Sequence, residues 1–134
     1  MRLERYADWP SRLNAYLAAV QKKIPEEGLD YGTFDCVVFV ADAIVEMTGE
    51  DLFKARGKYK TKIGAGRMLK RLGGMEGALA SVLGPNVPAA MAAHGDIVVL
   101  DGACGICMGR NSLYLSDGGF SYIPTLKAEC AFHV

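Results

Sequence analysis

Six side chains in this 134-residue chain invite a chemical reading: cysteines 36, 104, 107 and 130, and histidines 94 and 133. Cys36 stands where a loop-like stretch, Tyr31-Gly32-Thr33-Phe34-Asp35, meets the apolar run Val37 to Ile44. A thiol in the first turn of a buried helix lies over unpaired backbone N–H groups and the positive end of the dipole. That setting favours the thiolate, the form that attacks carbonyl carbon, so Cys36 is the candidate nucleophile. Asp35 has the type and position of a helix cap, an acceptor worth about 1 kcal/mol. A cysteine hydrolase needs one thing more. An imidazole must reach the sulfur, first to hold the thiolate and then to protonate the leaving amine.

Cys104 and Cys107 have C-x-x-C spacing, a pattern used for zinc and for redox chemistry. They fall in a strand-like stretch, where residues three apart point to opposite faces, so the two sulfurs should diverge. Buried free thiols are therefore expected, with no metal or other cofactor. A thiol-metal or redox protein using these two with Cys36 or Cys130 is a remote alternative.

The elements that must position these residues follow from pattern. Trp9-Pro10-Ser11 opens a first helix with Leu13, Tyr16, Leu17 and Val20 at helical spacing, and Pro25 should stop it. Residues 24 to 34 read as a loop. Ten of the twelve residues from Cys36 to Met47 are apolar, so the second helix should be wrapped on most sides and end at Thr48-Gly49. Weaker helices around Ala65–Leu72 and Met75–Leu83 stop at glycines. Beyond residue 94 come five short β-type runs: Asp96–Leu100, Gly105–Gly109, Leu113–Leu115, Phe120–Ile123 and Cys130–Phe132. The predicted class is α+β, one domain over 1–134, with a helical part (1–84) on one face of an antiparallel meander (95–134).

Composition excludes some functions. Fifteen basic residues balance fifteen acidic ones, so no overall field draws nucleic acid or an anionic surface. The basic run Lys54 to Lys62 reads as a solvated loop. No stretch approaches the about 20 apolar residues that span a bilayer, and the N-terminus has no signal-peptide pattern. The expected site of synthesis is a cytosol.

The stretch Tyr31-Gly32-x-x-Asp35-Cys36-x-x-Phe39-Val40-Ala41-Asp42, then Thr48-Gly49, Gly95-Asp96-Ile97 and Gly105-Ile106-x-x-Gly109, resembles the NlpC/P60-like branch of papain-fold cysteine peptidases. It is most similar to a phage-encoded family of small proteins found near tail genes, and the resemblance covers residues 9 to 134. It implies a papain-like core, synthesis in a bacterial host and a place in the virion tail, with other tail or baseplate proteins as partners. Tyr6, Trp9 and the Lys54–Lys62 run are candidate contact surfaces. The branch's hydrolases carry a histidine two residues before the second-strand glycine; here that place holds Ala103. His94 would sit at the far end of the first strand, five or six residues or about 17–20 Å away. His133 would approach Cys36 if the fifth strand closes a continuous meander, making it the one substitute base, though so near the terminus. The expected function is a tail-tip or hub structural or assembly protein on a degenerate peptidase fold, a pseudoenzyme. The alternative is an active hydrolase of peptidoglycan peptide or amide bonds, with Cys36 as nucleophile and helix-start N–H groups as oxyanion donors.

Overall fold

The computed structural model describes residues 3–27, 35–51, 63, 64, 67, 70, 73–116 and 119–134, with the side chains of 24–27 excepted. The apolar run behind Asp35 forms helix α2, Cys36–Thr48. Its Phe39, Val40, Ala43, Ile44 and Met47 have no exposed surface, as a helix apolar on most sides requires. It closes at Gly49, whose φ of 80° suits a residue without a side chain. A Cβ there would also overlap the Tyr6 hydroxyl.

Helix α1, Trp9–Glu27, lays Leu13, Leu17 and Val20 against α2. It continues two residues past Pro25, where it was expected to stop. Proline removes one ladder hydrogen bond but already holds a helical φ, so the last turn can absorb it. Residues 28–34 of the expected loop lie outside the described residues, as do Lys54–Lys62 and most of the stretch Ala65–Leu72. Helix α3, Gly74–Leu83, packs Met75 and Leu79 into the same core.

All five strands form: β1 Ile97–Leu100, β2 Ala103–Cys107, β3 Asn111–Ser116, β4 Gly119–Pro124 and β5 Cys130–Phe132. The class is α+β, with helices first and a five-stranded antiparallel sheet after them. The sheet is not a continuous meander. Its order is β4-β3-β2-β1-β5, so the fifth strand crosses back to pair with β1. Pairing β5 with β1 sets Phe132 opposite Ile97 and Cys130 opposite Val99. The apolar faces of the short β5 (Cys130 and Phe132 on one side, Ala131 on the other) are then covered on both sides of the sheet. α1 and α2 cover one face over Ile97, Val99, Cys104 and Ile106. Val98, Cys107, Tyr114 and Ala131 form a smaller cluster on the other. No described helix is long and apolar enough to cross a membrane.

Candidate functional site

Cys36 occupies the first position of α2, as expected, and two N–H groups just after it are already bonded. One Asp35 carboxylate oxygen accepts from the N–H of Val37 and of Val38, each at 3.0 Å, and the Asp35 carbonyl accepts from Phe39 at 2.8 Å. The cap forms as predicted. In forming, it takes two of the donors that an oxyanion would need.

The side chain that meets Cys36 is Cys104. Its thiol donates to the Cys36 carbonyl oxygen at 3.3 Å. Strand period explains the choice. With Cys104 and Ile106 in the core under α2, β2 turns Gly105 and Cys107 to the other face. A side chain on Gly105 would strike the Leu113 carbonyl and the Tyr114 ring there. Ala103 begins the strand, and the next residue delivers the contact.

The two thiols are unlike. Cys36 is partly exposed, whereas Cys104 is fully buried. The hydrogen bond from Cys104 holds the Cys36 thiol below its ordinary range, against the opposing effect of burial. The same bond, together with burial, pushes Cys104 well above that range. The pair therefore shares a proton unequally: Cys36 is the easier thiolate and Cys104 the retained thiol.

Neither histidine of the chain reaches this pair. His133 Nδ1 donates to Asp96 at 2.8 Å, and the His94 ring packs edge-on against Trp9, centroids 5.0 Å apart. Asp96 is 2 % exposed and also accepts from Arg5 (3.1 Å), Val134 N–H (3.0 Å) and Ala93 N–H (2.9 Å). Arg5 in turn bonds the carbonyls of Val134 and His94 and stacks on Trp9. This clasp sits at the other end of α2. A Cβ on Gly95 would lie 3.1 Å from the Met47 sulfur, and Met47 is eleven helical residues from Cys36, about 16 Å along the axis. His133 is therefore no base for Cys36. The crossing of β5 to β1 is what carried it away. His94 lies at the far end, as its place before β1 implied.

Cys104 and Cys107 diverge across the sheet as strand spacing required. Cys107 instead lies against Thr125 and the backbone of Gly109. Among the described residues no three or more His, Cys, Asp or Glu side chains group to hold a metal. Trp9 and Tyr6, candidates for an outer surface, each make contacts within the chain, and Tyr6 stays 42 % exposed. Trp9 lies between Arg5 and His94, and Tyr6 sits under Arg12 and beside Gly49. The meeting of Cys36 with Cys104 and the role of Asp96 both escaped the sequence. Each depends on register, though Asp96 after Gly95 at a strand start was a visible signal.

These features define an α+β domain with an N-terminal-turn thiol held against a second thiol beneath it. Residues 4–134 match the family described as a domain of unknown function, DUF6950, and the chain belongs to that family. No curated protein and no solved structure matches it.

Proposed function

We propose that the chain is a structural or assembly component of a phage or prophage tail tip or hub, built on a degenerate NlpC/P60-like peptidase fold. The tail assignment draws on the sequence resemblance, and the loss of catalysis on geometry. One observation carries the second point: among the described residues the side chain beside Cys36 is a thiol, while both imidazoles lie at the other end of α2, which rises about 16 Å from Cys36 to Met47. A buried thiol with a raised pKa can hold a thiolate by hydrogen bonding, but it is a poor proton donor to a leaving amine near neutral pH. The Asp35 cap occupies N–H groups on which an oxyanion would depend. A papain-like scaffold does not by itself bring the chemistry.

Purified protein should release no stem peptides from peptidoglycan sacculi, and phage deleted for the gene should yield defective tails that the Cys36→Ala protein restores. Digestion of sacculi that Cys36→Ala abolishes would establish the hydrolase instead. The lowered Cys36 pKa is the one observation that favours this second reading.

A further inference from the structure

We propose that Cys36 and Cys104 form a reversible oxidation site, with Cys36 reacting with a peroxide and Cys104 closing an internal disulfide. The inference does not rest on the tail assignment and would hold for a hydrolase too. Three observations order the roles. Cys36 is partly exposed at the end of a helix, while Cys104 is 0 % exposed and cannot be attacked first. The Cys104 thiol already lies against Cys36, donating to its carbonyl oxygen at 3.3 Å. The other cysteines are placed out of reach. Cys107 faces the opposite side of the sheet, and Cys130 is separated from Cys104 by strand β1, since both pair with Val99. Two strand spacings put them about 10 Å apart, beyond the about 7 Å limit between α-carbons for a bridge.

The chemistry balances with hydrogen peroxide as the oxidant. The Cys36 thiolate attacks one peroxide oxygen, the O–O bond breaks, and hydroxide leaves as water after taking a proton. Cys36 is then a sulfenic acid. The Cys104 sulfur attacks the Cys36 sulfur, the S–S bond forms as the S–O bond breaks, and the Cys104 proton departs with the oxygen as water. Two thiols lose two electrons and one peroxide becomes two waters. The Cys104 proton must leave its sulfur as the S–S bond forms, and the departing hydroxide takes it. The product ties the first turn of α2 to β2.

The test is peptide mapping of the reduced, folded protein after stoichiometric hydrogen peroxide and alkylation of the remaining thiols. The expected product is monomeric, lighter by two hydrogens, linked Cys36 to Cys104, with Cys107 and Cys130 alkylated. Cys104→Ala should leave Cys36 as a sulfenic acid captured by dimedone, and Cys36→Ala should leave Cys104 unoxidised. Persistent dimedone capture in the wild type, intermolecular dimers as the main product, or oxidation of Cys104 in the Cys36→Ala protein would each overturn the proposal. Should a variant fail to fold by circular dichroism, the wild-type map alone decides.

Discussion

At Cys36 the decisive neighbour is the Cys104 thiol, and it makes a measurable forecast. The rate of iodoacetamide alkylation of Cys36, followed against pH, should turn over below the ordinary thiol value of 9.0, and Cys104→Ala should move the inflection upward. His133→Ala should leave that profile where it is, because the imidazole is bound to Asp96 at the far end of α2. An inflection unmoved by Cys104→Ala would mean the helix terminus, not the partner thiol, sets the acidity. The pair also links stability to pH, with opposite signs. Cys36, depressed in the fold, adds stability that is present above 9.0 and lost as pH falls through its folded value. Cys104, raised in the fold, contributes stability that is complete below 9.0 and lost as pH rises beyond it. The upward shift of Cys104 is the large one. The urea midpoint of the wild type should accordingly fall more steeply above pH 9.0 than that of Cys104→Ala.

Helix α2 is positioned by its two ends. Asp35→Ala removes an acceptor shared by two N–H groups and should cost about 1–2 kcal/mol in urea unfolding, with Asp35→Asn recovering most of it. If the Asp35 cap suppresses an oxyanion site, its loss should still bring no hydrolysis, since no base is gained. At the other end, Gly49→Ala meets both a positive φ of 80° and the Tyr6 hydroxyl. It should cost more than the about 1–2 kcal/mol of the backbone conformation alone. Both positions are legible in the chain itself: Asp35 as a short acid ahead of an apolar run, and Gly49 as a helix stop. Pro25 misleads at this scale, because a stop signal by residue type counts the N–H that proline lacks but not the helical φ its ring already holds.

Across the whole molecule, the N- and C-terminal segments are joined through Asp96. Arg5 from before α1, His133 and Val134 from after β5, and Ala93 from before β1 converge on one carboxylate that is almost wholly buried. Asp96→Ala strands the Arg5 guanidinium, only 17 % exposed, among carbonyl oxygens. A loss of about 3–5 kcal/mol is expected by equilibrium unfolding, the scale for removing one partner of a buried pair. A change below about 1 kcal/mol would show that water replaces the carboxylate there. The crossing of β5 to the β1 edge makes this clasp possible, and the same crossing takes His133 from Cys36.

Local patterning determined the classes of element: an apolar helix behind Asp35, and five short strands after residue 94, in an α+β order. Strand period likewise determined that Cys104 and Cys107 part across the sheet, because alternation is a property of the backbone itself. What only the tertiary structure decided was adjacency. Whether the last strand pairs with β4 or with β1 depends on which edge buries more apolar surface, a comparison made between segments distant in the chain. That choice put His133 on Asp96. The seating of α2 on β2 brought a thiol to Cys36, from a residue 68 positions away.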